Sequence, residues 1–414
     1  MRTKAVVMFS GGLDSILAAR VLMEQGIEVH LFNLRVDCPP IEETSATAGS
    51  SSEVARGLTN SQSVADPEHG RREIRNPQYP NDPPAKGARI LGLPLTRLSC
   101  PDEFLEMVKH PRYGYGSNMN PCIDCKIQIM KKAREFMEKI GASFVATGEV
   151  LGERPMSQRR DTMMLIEKAA GMKRMIVRPL SAKLLDPTIP EETGVVDREK
   201  LLDIRGRSRK PQMELAAKFG ITEYPSPAGG CQLTDPGFAA RLDDLLKDNP
   251  NFDCNDFNLL KVGRHFRFFA LATEVTENTE IQQTGIQDHP RFSSVDVSSV
   301  CSVAKNPSPK AVVGRDDADN QKILAIARTG DILLEVAEFP GPVTLCRGPF
   351  TEDLLRKAAS LTARYGKART QPEVEITGST IPGPGCVGTE QLSFRVPPRE
   401  YTDLGATRIG ERGQ

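Results

Sequence analysis

No apolar run in this sequence approaches the ~20 residues of a membrane span, which argues against a helical transmembrane protein. Met1-Arg2-Thr3-Lys4 leads straight into a strand pattern without the features of a signal peptide, so the expected location is the cytoplasm. An excess of one charge is also missing. The 54 Lys plus Arg balance 54 Asp plus Glu, so any nucleic-acid surface must be a local patch. There is no internal repeat of fixed period. At 414 residues the chain is long enough for two or three domains.

What is present begins at residue 4. The apolar stretch Lys4 to Phe9 runs into Ser10-Gly11-Gly12-Leu13-Asp14-Ser15 and then into the helical pattern Ile16 to Leu22. A strand that turns through glycines into a helix is an anion cradle, because the backbone approaches a phosphate closely and the helix N-terminus points at it. The spacing is neither Gly-x-x-x-x-Gly-Lys-Ser/Thr nor Gly-x-Gly-x-x-Gly. Asp14 suits a magnesium ion, an ordinary helix cap being the other reading, and Ser10 and Ser15 can donate hydroxyls to phosphate oxygens.

A second strand at Gly26 to Asn33 completes a β-α-β unit and predicts an α/β fold with a doubly wound parallel sheet. From about Pro39 to Lys86 the composition turns to Ser, Thr, Pro, Asn, Asp, Glu and Gly, which predicts a disordered insertion over about 39–86. Periodicity then predicts helices over Asp102 to His110 and Asp124 to Ile140, and a strand at Ser143 to Glu149 that ends in a glycine turn. A helical extension over 186–250 follows, with the basic loop Arg205 to Lys210, which suits either RNA phosphates or a solvated turn. Over 251–414 the pattern predicts a small α+β domain, with a strand within Leu259 to Phe268 and a loose insertion over about 274–310.

Nine cysteines in a chain of this kind direct attention to their spacing. Asn120-Pro121-Cys122-Ile123-Asp124-Cys125 places two thiols at the start of a helix, where the dipole favours thiolates. Cys231 follows the loop Pro225-Ser226-Pro227-Ala228-Gly229-Gly230. Cys122, Cys125 and Cys231 suit three ligands of a 4Fe-4S cluster, a redox or persulfide pair, or structural zinc; a second Cys-x-x-Cys or His pair for zinc is absent. Tyr113-Gly114-Tyr115-Gly116 suits either base stacking or a structural turn.

The hexapeptide at 10–15 resembles the pyrophosphate loop of the adenine nucleotide α-hydrolase-like (PP-loop) family. Together with the Asn120 to Cys125 motif, Ala146-Thr147-Gly148 and Cys231, it resembles the tRNA thiouridine synthases, with features of both the 2-thiouridylase and the cluster-dependent branches. The resemblance covers about residues 1–250. It implies a PP-loop ATP-binding domain at 1–185 that cleaves ATP to AMP and pyrophosphate with Mg2+, adenylating a uracil carbonyl oxygen of tRNA that sulfur then replaces. It further implies nucleotide binding by Ser10, Gly11, Gly12, Leu13, Asp14, Ser15, Phe32, Asn33, Thr147 and Gly148. Asp14, Cys125 and Cys231 would be catalytic, Cys122 would be the additional metal ligand of the cluster-dependent type, and the sulfur donor would be sulfide or a persulfide carrier. Through Val262-Gly263-Arg264-His265-Phe266 and Val312-Val313-Gly314-Arg315-Asp316-Asp317-Ala318-Asp319-Asn320, residues 257–376 resemble the NFACT-R RNA-binding module, for which Arg264, His265, Arg267 and Arg315 are the candidate phosphate ligands, a solvated face being the other reading. The rival functions are an ATP pyrophosphatase acting on a small molecule and a nucleotide-switched RNA-binding adaptor.

Overall fold

The computed structural model describes residues 3–39, 82–226, 230–268, 308–382 and 391–410, and the backbone of 72–75. Described residues up to Ala239 form one compact unit and those from Ala240 onward another.

In the first unit the elements run β1 (Lys4–Met8), α1 (Leu13–Met23), β2 (Glu28–Arg35), β3 (Arg72–Arg75), α2 (Pro83–Leu91), β4 (Leu95–Ser99), α3 (Pro101–Lys109), α4 (Cys122–Ile140), β5 (Phe144–Thr147), α5 (Arg160–Ala169), β6 (Ile176–Val177), α6 (Ile189–Glu192) and α7 (Lys210–Lys218). The sheet order is β3-β4-β2-β1-β5-β6, with every pair parallel except β3 with β4. Successive side chains of β1 bury on opposite faces. Ala5 and Val7 join Leu13, Ile16, Leu17 and Ala216 on one side, while Val6 joins Phe32, Met130, Phe136 and Ile166 on the other. Helices on both faces make the sheet doubly wound. Because β2 and β4 lie to one side of β1 and β5 and β6 to the other, the chain reverses direction across the sheet between β1 and β5. In open α/β sheets that switch point is where a crevice opens at the strand ends.

The predicted insertion over 39–86 is corrected at its far end. Asp82 caps α2 by accepting from the Ala85 amide at 3.3 Å, so Asp82 is an ordered cap and 83–86 are helix, and Arg72–Arg75 add an antiparallel edge strand. Arg97 of β4 clamps the Asp82 carboxylate with two hydrogen bonds of 2.7 and 3.2 Å, which fixes that helix start on the sheet. The remainder of the insertion, 40–71 and 76–81, lies outside the described residues.

The second unit contains α9 (Cys254–Leu259), β7 (Arg264–Phe268), β8 (Lys310–Val313), α10 (Asp317–Ile326), β9 (Ile332–Val336), β10 (Thr344–Arg347), α11 (Glu352–Arg364), β11 (Val374–Thr380), β12 (Gln391–Val396) and β13 (Ala406–Ile409). Helix α8 (Pro236–Asp248) crosses from one unit into the other along the chain. The seven strands form an antiparallel sheet ordered β12-β11-β9-β10-β8-β7-β13, against which α11 buries Leu354, Leu355, Ala358 and Leu361. This is the expected α+β module. The strand predicted within Leu259 to Phe268 starts only at Arg264, because Asp253 and Asp256 form a reciprocal cap that turns Cys254–Leu259 into helix. Of the expected loose insertion at 274–310, Lys310 belongs to β8, and residues up to 307 lie outside the description.

Candidate active site

Three strand ends set the floor of the site. Met8 of β1 pairs with Phe32 of β2 on one side and Thr147 of β5 on the other, so the turns that follow β1 and β5 emerge side by side. The turn after β1 needs its first glycine. Gly11 has φ +75°, and a Cβ there would lie 2.2 Å from the carbonyl carbon of Pro83, which packs directly over it. Gly12 then caps α1, Ser15 Oγ donates to the Gly12 carbonyl at 2.8 Å, and the Gly12 amide donates to Ser10 Oγ at 3.3 Å. The first amides of α1 thus face a cavity of about 250 Å³.

Ser10, Gly12, Asp14, Ser15, Phe32, Asn33, Thr147 and Gly148 line that one cavity. Leu13 and Gly11 sit behind it: Leu13 is fully buried in the core, and Gly11 packs on Pro83. Asn33 lines the cavity with its amide already engaged. It donates to the Phe9 carbonyl at 2.8 Å and accepts from Arg97 at 3.2 Å, so it braces the two strand ends.

Asp14 Oδ1 is buried with no hydrogen-bond partner among the described residues. Burial raises the Asp14 carboxyl above its ordinary range, against the pull of Arg209, Gln212 and Arg154. Glu153 lines the same cavity and is raised by burial and by the Asp14 charge. Oxygen donors of this kind fit a magnesium ion that takes its remaining ligands from phosphates and water.

The sequence reading missed a chain of ions beneath this cavity. Lys126, one residue after Cys125, reaches Glu149 Oε1 at 3.0 Å; Arg178 Nε donates to Glu149 Oε2 at 3.2 Å, and its other arm pairs with Glu167. Glu149, Glu167 and Arg178 are buried, whereas Lys126 and Glu149 both reach the cavity wall. Burial opposes ionisation of Glu149, but Lys126 and Arg178 outweigh it and hold the carboxyl at about 2. The signal available in the sequence was a carboxylate directly after an apolar strand and its Thr-Gly turn.

Cys122 and Cys125 occupy the first turn of α4, beside the segment that carries Cys231. Asn118 donates to the Thr234 carbonyl at 2.7 Å and the Met119 amide to the Leu233 carbonyl at 3.2 Å, which ties the turn after Cys231 to the loop before α4. The expectation that the helix dipole would favour thiolates is corrected at Cys125. Burial pushes its thiol up to about 12, against the neighbouring Lys126 charge. Burial also raises Cys231. Among the described residues no three His, Cys, Asp or Glu side chains converge as a metal-holding group. No role is derived for a 4Fe-4S cluster.

Asp124 accepts from the Arg112 and Tyr113 amides at 3.2 and 3.0 Å, which makes Tyr113 to Gly116 a braced turn with Tyr113 partly exposed. In the second unit, two candidate phosphate ligands point inward. His265 is buried against the Val262 carbonyl at 2.9 Å, and burial pushes it well below its ordinary range. Arg267 is buried between Asp244 at 2.6 Å and Asp248 at 2.7 Å. Arg315 pairs with Asp319, and Arg264 lies over the Tyr365 ring at 4.9 Å.

Residues 303–383 match the NFACT protein RNA binding domain family. Two curated relatives are tRNA-specific 2-thiouridylases, MnmA. That of Caldicellulosiruptor saccharolyticus is 26% identical over 235 residues, 55% of this chain and 54% of the relative. That of Sulfurimonas denitrificans is 27% identical over 155 residues, 36% of each chain. The chain spans about half of the first relative's length and about a third of the second's. Among solved structures, a predicted subunit of tRNA methyltransferase from Methanocaldococcus jannaschii aligns at 15% identity over 61% of this chain and 91% of its own, with a TM-score of 0.27. The C-terminal part of the fibronectin/fibrinogen-binding protein from Streptococcus suis aligns at 12% identity over 68% and 92%, with a TM-score of 0.20. No described helix is long and apolar enough to cross a membrane.

Proposed function

We propose that this chain, similar to tRNA-specific 2-thiouridylases in sequence and carrying an NFACT-type RNA-binding match at 303–383, is an ATP-dependent tRNA uridine sulfurtransferase. The observation that carries this reading is the convergence of the Ser10 to Ser15 turn and the Thr147-Gly148 turn at the sheet switch point, in a cavity also lined by Lys126, the residue after Cys125 on α4.

The glycine turn binds the phosphates through the free amides of α1, with Ser10 and Ser15 as hydroxyl donors. Asp14 and Glu153 would hold Mg2+, which supplies charge neutralisation to the phosphates when bound. Phe32 forms part of the wall at the end of β2, where the adenosine end of the nucleotide lies. A uracil oxygen attacks the α-phosphorus and pyrophosphate leaves, which converts a poor leaving group into AMP. Lys126, fixed by Glu149, stands on the cavity wall where negative charge builds during that transfer.

Sulfur carried as a persulfide on the exposed Cys231 then attacks the adenylated carbon, and AMP departs. Cys125 gives up its proton and attacks the Cys231 sulfur. This releases the thiouridine and leaves a Cys125–Cys231 disulfide, which an external thiol reductant reopens. The sulfur donor for this route is a persulfide carrier, which passes its outer sulfur to the Cys231 thiolate and leaves as its own thiol, and the 303–383 region engages tRNA.

The test is release of AMP and pyrophosphate by the purified chain with and without tRNA, joined to mass spectrometry of tRNA nucleosides from a deletion strain. Thiouridine lost in the strain and tRNA-dependent turnover are expected. ATP bound without turnover, with thiouridine intact, would replace this reading with the nucleotide-switched adaptor.

A further inference from the structure

A second cavity, of about 430 Å³, opens between α5 and the segment from Lys173 to Glu191. It shares no lining residue with the cavity at the glycine turn. Met163, Ile176 and Arg178 line it and are buried, so they form its floor; Met164, Lys168 and Lys173 line it and are exposed, so they form its mouth. A concave site of this size, apolar with a few polar groups, suits a small molecule.

Arg178 is the polar group of the floor. Its side chain is 4% exposed, Nε is taken by Glu149 and Nη1 by Glu167, and Nη2 has no hydrogen-bond partner among the described residues. Neither carboxylate is free to turn toward it. Glu149 also binds Lys126, and the second oxygen of Glu167 accepts from the Arg174 amide at 3.1 Å, in a turn where Arg174 adopts φ +62°. A buried guanidinium N–H left open is rare, and it calls for an acceptor from outside the chain. Charge at the floor is already balanced, Lys126 and Arg178 against Glu149 and Glu167. An added anion there would face two carboxylates, so a neutral oxygen suits the floor better.

At the mouth the balance differs. Arg160 pairs with Asp186, Arg174 with Glu192 and Glu191 with Arg198, whereas the side chains of Lys168 and Lys173 form no ion pair among the described residues. Two unpaired ammonium groups beside the exposed Met164 favour an anion at this end.

We propose that this cavity binds a small organic anion whose apolar body carries a neutral carbonyl oxygen at the end remote from its charge. The carbonyl accepts from Arg178 Nη2, the body lies against Met163 and Ile176, and the anionic group is held by Lys168 and Lys173. The assignment does not depend on the chemistry at the glycine turn, because the two cavities have separate walls.

The test is equilibrium dialysis of the full-length chain, with and without MgATP, against two probes. 4-Methylumbelliferyl phosphate has a lactone carbonyl and a phosphate at opposite ends of an apolar fused ring; 2-naphthyl phosphate has a similar body without the carbonyl. The first probe should bind whether or not MgATP is present, and the second about tenfold more weakly, as loss of one hydrogen bond to a charged donor implies. The double variant Lys168→Ala, Lys173→Ala changes two exposed positions that lack ion pairs, and it should weaken binding of both probes about threefold or more. No binding by the wild type, equal affinity for the two probes, unchanged affinity in the double variant, or displacement by MgATP overturns the assignment. Displacement by tRNA overturns it as well, in favour of RNA phosphates on Lys168 and Lys173.

Discussion

A Cβ added to Gly148 would lie 2.6 Å from the carbonyl carbon of Asp14, so the turn that ends β5 rests directly on the first turn of α1. That close approach welds the two halves of the cavity rim together. Gly148→Ala must push α1 away from β5 or twist the turn, and overpacking of this kind costs about 1–3 kcal/mol. The expected outcome is a lower melting temperature together with loss of the stabilisation that ATP gives the wild type. Scanning calorimetry with and without MgATP measures both, and an unaltered ATP-dependent shift would show that the rim tolerates the displacement.

Glu149 holds Lys126 and Arg178 at once. Glu149→Gln leaves Lys126 with a neutral partner and Arg178 with Glu167 alone, and breaking a buried ion network by one member typically costs about 3–5 kcal/mol. Urea unfolding should show that loss. The same group sets an acid limit: its folded pKa of about 2 lies below the unfolded glutamate value of about 4.3, so its contribution is complete above that value and disappears as pH falls toward 2. Wild-type stability should therefore drop between about pH 4 and pH 2 more steeply than that of Glu149→Gln.

Cys125 should behave as an unreactive thiol in the resting protein. With its pKa pushed up to about 12, its thiolate fraction at pH 8 is lower than that of an ordinary thiol by roughly a thousandfold or more. Iodoacetamide labelling followed by peptide mass spectrometry should find Cys125 modified at least about 100-fold more slowly than a small free thiol. Its rate should still be rising with pH above 9. Rapid labelling at neutral pH would mean that the buried position opens readily.

Arg264 and Arg267, three residues apart on one strand, should respond in different ways. Arg267 is locked between Asp244 and Asp248, and Arg267→Ala removes the guanidinium shared by two carboxylates, leaving Asp244 to Lys310 and Asp248 to Ser308, so the main effect expected is a fall in melting temperature. Arg264 is half-buried over the Tyr365 ring, and Arg264→Ala should leave melting within a degree or two while weakening tRNA binding about three- to tenfold, as loss of one phosphate contact does. Filter binding at a fixed salt concentration distinguishes them. Equal tRNA affinity in Arg264→Ala and wild type would remove Arg264 from the RNA surface.

The α/β class and the antiparallel module after it were legible in the sequence because each rests on local periodicity. Lys4 to Met8, Leu13 to Met23 and Phe144 to Thr147 announce themselves through runs of apolar residues with glycine breaks, and the glycine turn is a contiguous hexapeptide. Chemistry carried by neighbours in sequence can be read in sequence. The start of α2 was not legible: Asp82 and Pro83 belong to a polar stretch by composition, and only the clamp from Arg97 and the seat on Gly11 make them ordered.

The direction of a charged side chain was likewise beyond the reach of pattern. His265 and Arg267 alternate with buried phenylalanines on a strand, and nothing local distinguishes a solvated face from one covered by α8, from which Asp244 and Asp248 reach Arg267. The sequence by itself determined the strand-turn-helix cradle, because glycine freedom and helix N-terminal amides are properties of adjacent residues. Only the tertiary structure decided that Glu149 would bind Lys126 and Arg178, that Cys125 would lie where burial overrides the helix dipole, and that Gln212 would end beside Asp14. Each of those depends on desolvation, which is set by what packs over a group from distant parts of the chain.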